Sequence, residues 1–178
     1  MGLGLGHRGA QTLKNVIFRP EKPADIPAIR VALLQAFRGK PYSNQTEPAI
    51  LDALRQDGGL ALGLVAELEG QVVGHAAFSE VRVDGRLEGW FGLGPIGVLP
   101  AYQRAGIGTG LIDDGFRRLR RAEAKGCVVV GDPDYYSRFG FSRQPGLTLE
   151  GFPPEYFQAF ALSGRFPSGK VTFHPAFA

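Results

Sequence analysis

Between Gly94 and Leu111 the sequence sets small residues where an anion could be held. An apolar run ends at Val98, Pro100 breaks it, and Gln103 to Gly108 form a turn ahead of a helix-like stretch. The first turn of a helix leaves backbone N–H groups without intrahelical partners and carries partial positive charge. Phosphate oxygens suit such a site. Gly106 and Gly108 have no side chain to keep those oxygens off the backbone, and Arg104 adds charge. Glycines alone leave open a turn used only for tight packing. Two other phosphate loops do not fit. A Walker A loop closes with Gly-Lys-Ser/Thr, whereas Gly110 is followed by Leu111. A dinucleotide fingerprint counted from Gly106 needs a third glycine where Leu111 stands, and it follows the first strand of a parallel sheet.

The elements that must position this turn are legible in the hydrophobic spacing. Val16 to Arg19 reads as a strand stopped by Pro20. A helix opens at Ala24-Asp25-Ile26, with Asp25 as cap and Pro27 in the first turn. Ile26, Ile29, Leu33, Leu34 and Phe37 make its apolar stripe, and Gly39 and Pro41 end it. A polar loop, Arg38 to Thr46, leads to a second helix over Pro48 to Arg55 with Ile50, Leu51 and Leu54 inward. Strands at Leu62 to Leu68 and Val72 to Ser79 flank the turn signal Glu69-Gly70. Val81 and Val83 lead to a second signal, Asp84-Gly85, and then to the long apolar run Leu87 to Val98. This is an antiparallel meander.

The pattern then changes. Gly106 to Lys125 is helical, with Ile107, Leu111, Ile112, Phe116 and Leu119 on one side. Asp113, Asp114 and the arginines at 117, 118, 120 and 121 lie on the other, and Gly126 ends the helix. Cys127 to Gly131 is the continuous apolar run of a buried strand. Strand, helix and strand in that order predict a βαβ unit with parallel pairing. Tyr135 to Phe139 reads as a short helix, Leu147 to Leu149 and Val171 to His174 as short strands, and Pro154 to Phe157 as a helical turn. The expected fold class is α/β with an α+β mixed sheet: a meander followed by one βαβ crossover. One domain over residues 15–178 is expected behind a tail at 1–14.

Composition narrows the classes. The chain has 178 residues, 44% hydrophobic and 21% charged, as in ordinary globular proteins. A net charge of +3 suits a polyanionic small molecule and does not call for nucleic acid. The arginine cluster from Arg117 to Arg121 reads as a solvated helix face. One cysteine, Cys127, cannot form an internal disulfide. Met1 to Ala10 lacks a signal-peptide core, and no run approaches the ~18 apolar residues of a membrane span. A cytoplasmic protein without nucleic-acid or membrane partner is the default. The three histidines and one cysteine have no metal-ligand spacing.

The segment resembles motif A of the GNAT superfamily of N-acetyltransferases. Gln103, Gly106 and Gly108 match its Gln/Arg-x-x-Gly-x-Gly/Ala pattern, and Val98-x-Pro100 matches what precedes it. The order of elements agrees over nearly the whole chain, and Arg19-Pro20 with Ala24-Asp25 resembles the entry to the family's first helix. Tyr135 to Phe141 and Lys170 to Phe177 are similar to the YhbS-type branch of predicted acetyltransferases. The resemblance implies a GNAT fold and acetyl-CoA as cosubstrate, with no metal. It implies that the strand ending at Val98 splays from Val128 to Val130, and that Ile96, Gly97 and Val98 border the pantetheine through their backbone. It further implies that Gln103, Arg104, Ala105, Gly106, Ile107, Gly108 and Thr109 hold the pyrophosphate. Homodimers are common in the superfamily.

Amide formation from a thioester needs a neutral amine, a polarised carbonyl and a proton for the leaving thiolate. Tyr136, where the family often has a tyrosine, is the expected acid, with packing as its alternative. The Val98 N–H is the family-like oxyanion donor. Many relatives carry a glutamate on the strand matching Leu93 to Val98, and this sequence has no carboxylate there. Glu47, Glu80 and Glu88 are candidates for a base acting through water. Phe37, Arg38, Tyr42 and Asn44 fall in the segment that lines the family's acceptor pocket. His75 reads as a hydrogen-bonded sheet histidine, with contact to the acceptor as its alternative, Cys127 as a packing residue and Tyr135 as structural. The expected activity is transfer of acetyl to a primary amine, with a small molecule as acceptor. An acyl-CoA-binding module of weak or no activity is the alternative.

Overall fold

The computed structural model describes residues 14–178, so the expected tail lies almost wholly outside the described residues. The chain runs β1 (Val16–Pro20), α1 (Ile26–Phe37), α2 (Glu47–Gln56), β2 (Leu60–Leu68), β3 (Gln71–Val83) and β4 (Arg86–Val98). It continues through α3 (Ile107–Arg121), β5 (Gly126–Val130), α4 (Pro133–Tyr136), β6 (Leu147–Thr148), β7 (Phe157–Ala161) and β8 (Gly169–Thr172). Both expected turns form. Glu69 and Gly70 have φ of 51° and 80°, and Asp84 and Gly85 have 49° and 79°. Left-handed backbone at both central residues matches the right-handed twist of the flanking strands, which fixes the β2–β3 and β3–β4 registers.

Two compact units are distinguished, and β3 and β4 contribute residues to both. The first holds the chain up to Asp52, Leu62–Ala77 and Pro95–Gly115. In it the strand order is β1-β2-β3-β4, with β1 antiparallel to β2 and Phe18 opposite Ala66. α1 buries Ile29, Ala32, Leu33 and Ala36. It lies so close to β4 that a methyl group on Gly97 would stand 2.9 Å from Ala36 Cβ and 3.1 Å from Leu33 Cδ2. The first half of α3 rests on β1 in the same way, for a methyl on Gly110 would fall 2.1 Å from the Phe18 ring. Arg19 forks onto Asp25 at 2.8 and 2.9 Å and reaches Glu67 at 2.7 Å. These bonds hold the Asp25 carboxyl below its ordinary range, chiefly through Arg19, with help from the Lys22 N–H at 2.7 Å. Asp25 was expected to cap α1. It precedes the helix but makes no capping bond to it; its carboxylate pairs with Arg19 and accepts the Lys22 N–H, which caps the 3-10 turn Pro23–Asp25 instead.

The second unit holds Ala53–Ala61, Phe78–Gly94 and Phe116–Ala178. Its strand order is β3-β4-β5-β7, with β8 on β3 and β6 on β8. β4 pairs with β5 in parallel from Trp90 opposite Gly126 to Leu93 opposite Val129, the predicted crossover. β5 pairs antiparallel with β7, a strand that the residue pattern of 157–161 did not single out. Val81, Val83, Trp90, Val128, Leu147, Phe157, Ala159 and Val171 form its apolar core. Each large apolar side chain buried in this way contributes roughly 1.5–3 kcal/mol. The Trp90 ring lies flat on Gly126, where a methyl would meet it at 2.3 Å. α3 ends at Arg121, four residues before the expected end. Glu123 turns left-handed at φ 62°, the Ala124 N–H returns to Leu119 O at 2.9 Å, and Gly126 opens β5 instead of closing the helix. Asp114, expected on the outer face of α3, is buried.

Candidate functional site

The turn ahead of α3 is built almost entirely from backbone. The Leu99 N–H donates to Val73 O of β3 at 2.8 Å. Alternation along a strand therefore turns the N–H groups of Ile96 and Val98 toward the opposite edge of β4. Gln103 Nε2 donates to Val98 O at 2.9 Å, tying the turn to the strand end. Gln103 thus holds the turn's shape with its side chain. A 3-10 turn at Pro100–Tyr102 follows Leu99, with Tyr102 N–H on Leu99 O at 2.9 Å. Arg104 at φ 60° and Gly106 at φ 85° then reverse the chain into α3. For Arg104 this backbone is uncommon, and for a branched residue at 106 it would be an outlier.

The Gly110 N–H is bonded to Gly106 O at 3.0 Å. The N–H groups of Gly106, Ile107, Gly108 and Thr109 therefore precede the helical ladder and have no intrahelical acceptor. Ile107 is buried and anchors that first turn, while Arg104 and Thr109 are exposed and Ala105 and Gly108 half-buried. Gly97 differs from its neighbours. It shares the edge of Leu99 and its Cα faces α1, so the structure gives it a packing role.

Tyr136 sits past the C-terminal end of β5, in the second unit. Asp132 accepts the Asp134 N–H at 2.9 Å and starts α4, which carries Tyr135 and Tyr136. The Tyr136 ring covers Gly131, where a methyl would stand 2.5 Å from Cε2. It meets Phe141 edge-on at 5.9 Å and Tyr135 at 4.9 Å, and is half-buried. Phe141 continues into Phe116 and Phe160. Tyr135 packs under the Arg138 guanidinium at 4.4 Å, and burial pushes its phenol up.

The remaining candidates divide by burial. Glu80 is exposed and Glu88 half-buried. Glu47, on the first turn of α2, is buried, and its Oε1 accepts from Ser43 Oγ at 2.5 Å. Phe37 meets Tyr42 edge-on at 6.4 Å, with Tyr42, Arg38 and Asn44 exposed. His75 is fully buried on β3 with Nε2 3.1 Å from Glu21 Oε1, a hydrogen-bonded sheet histidine. Glu21 was not singled out in the sequence, because it stands between two elements with no pattern of its own. Burial pushes the Cys127 thiol far up, so it is no nucleophile at neutral pH. Among the described residues no group of three or more His, Cys, Asp and Glu is placed to hold a metal, and no helix is long and apolar enough to cross a membrane.

The chain is similar to known proteins of this fold. Residues 26–141 match the model of the acetyltransferase (GNAT) family. The N-acetyltransferase YhbS of Escherichia coli K12 is 36% identical over 172 residues, covering 91% of this chain and 98% of that protein. A GNAT family acetyltransferase from Brucella melitensis, solved in complex with acetyl-CoA, is 47% identical with a TM-score of 0.82 over 92% of this chain and 98% of that one. The E. coli YhbS structure in complex with CoA is 33% identical with a TM-score of 0.86, covering 92% of each chain. With the meander, the crossover and the glycine turn in place, the chain belongs to the GNAT family of acetyltransferases.

Proposed function

We propose that this protein transfers the acetyl group of acetyl-CoA to a primary amine of a small molecule, by direct attack of the amine on the thioester. The observation that carries this reading is the row of four N–H groups ahead of the α3 ladder, behind a backbone reversal at Arg104 and Gly106. That row suits a pyrophosphate, and two similar proteins were solved with acetyl-CoA or CoA. In this reading Arg104 to Thr109 hold the pyrophosphate, and the outward backbone of Ile96 and Val98 pairs with the pantetheine amides. The Val98 N–H receives the oxyanion. The Tyr136 phenol gives its proton to the departing thiolate. The amine lone pair forms the C–N bond as the C–S bond breaks, and the amine's excess proton passes to solvent. A second reading, an acyl-CoA-binding module without turnover, is favoured by the lack of a carboxylate from Leu93 to Val98.

Thiol release from acetyl-CoA across a panel of primary amines, beside calorimetric titration with CoA, separates these. Micromolar CoA affinity with amine-dependent thiol release is the expected result. Tight CoA binding with no release for any amine selects the module. No CoA binding overturns both.

A further inference from the structure

We propose that Glu47 is the counter-charge that seats the cationic group of the acceptor; the inference rests on the acetyltransferase reading and names the chemistry of the second substrate. Glu47 is 9% exposed, and while Oε1 takes the Ser43 hydroxyl, Oε2 is buried with no hydrogen-bond partner. A carboxylate oxygen removed from water and left unpaired is costly, and structures tolerate it where something else completes it. Oε2 needs a donor, and a cationic one best offsets a buried negative charge. A protonated amine on the acceptor, distinct from the neutral amine that attacks, supplies both.

The position of Glu47 in the first unit supports that occupant. α1 ends on β4, with Phe37 Cε2 3.4 Å from where a Gly97 side chain would begin. Gly97 lies between Ile96 and Val98, whose backbone is proposed to carry the thioester arm. From Phe37 the chain passes Tyr42, packed on Phe37, to Ser43 and its bond to Glu47. The same corner therefore touches the donor strand at one end and holds the unpaired carboxylate at the other. The start of α2 would also favour a carboxylate by its dipole, but that alone does not bury an oxygen away from every donor. Tyr42 is 75% exposed, and short-range bonds hold the corner: Lys40 N–H to Phe37 O, Ser43 N–H to Lys40 O and Gln45 N–H to Ser43 Oγ.

The test uses the full chain saturated with CoA and three amines that carry a second cationic group: 1,5-diaminopentane, 1,3-diaminopropane and lysine amide. Each is titrated by calorimetry against wild type, Glu47→Gln, Glu47→Asp and Ser43→Ala. At least one amine should bind wild type, bind Glu47→Gln at least tenfold more weakly, and recover in part with Glu47→Asp. Ser43→Ala keeps the charge and should change affinity less than threefold. CoA should bind all four alike, which also shows that they are folded. Equal amine affinity for wild type and Glu47→Gln, or no binding of any of the three amines to wild type, overturns the proposal. Absence of CoA binding in wild type removes the acetyltransferase reading instead, and the same amine titrations without CoA still decide on Glu47.

Discussion

The segment from Ile96 to Thr109 and the corner around Tyr136 do their proposed work with different parts of the residue. The first offers backbone N–H groups, and its side chains mostly shape the path: Ile107 anchors, Gln103 ties, Gly106 permits the reversal. The second offers one phenol oxygen, with Gly131, Phe141 and Tyr135 fixing the ring that carries it. Backbone chemistry is sensitive to φ and tolerant of side-chain exchange, whereas side-chain chemistry is the reverse. Glu47 belongs with the second kind.

Substitutions can break that contrast. Tyr136→Phe removes one oxygen and leaves the ring packing in place. It should lower kcat by about 100-fold with the KM for acetyl-CoA unchanged. A drop of less than threefold in steady-state rate would return Tyr136 to packing alone. Gly106→Val should act on binding instead. A branched residue cannot hold the φ of 85° without strain, so calorimetry should show CoA affinity falling roughly 10- to 100-fold. Unchanged affinity would mean that the reversal does not shape the phosphate site. Gln103→Ala loses one side-chain bond to Val98 O and should weaken CoA roughly fivefold, about 1 kcal/mol, in the same titration. An effect as large as that of Gly106→Val would show Gln103 touching the ligand directly.

The same contrast explains what could be read from sequence. Local rules reached the proposed donor side. Glu69-Gly70 and Asp84-Gly85 fix the hairpins by backbone geometry, and Gly106 and Gly108 mark the helix start through their lack of side chains. The βαβ crossover followed from one apolar run after one amphipathic helix. Other features depend on partners distant in sequence. β7 needs β5 beside it, and nothing in Phe157 to Ala161 announces that pairing. Asp25 does not cap α1, because Arg19 and the Lys22 N–H claim its carboxylate across a turn. Asp114 reads as polar surface, yet the packing around α3 buries it. Glu47 stood level with Glu80 and Glu88 in the sequence, and only burial separates them. Gly97 sits within the site segment but serves α1, which spacing cannot reveal.

The packing of Trp90 on Gly126 has a use outside chemistry. Trp90 is the one tryptophan of the chain, 2% exposed, on the first rung of the parallel ladder. A buried indole emits further to the blue than a solvated one, so the protein carries its own optical reporter at a known place. Emission followed during denaturation registers when that rung opens, without a label.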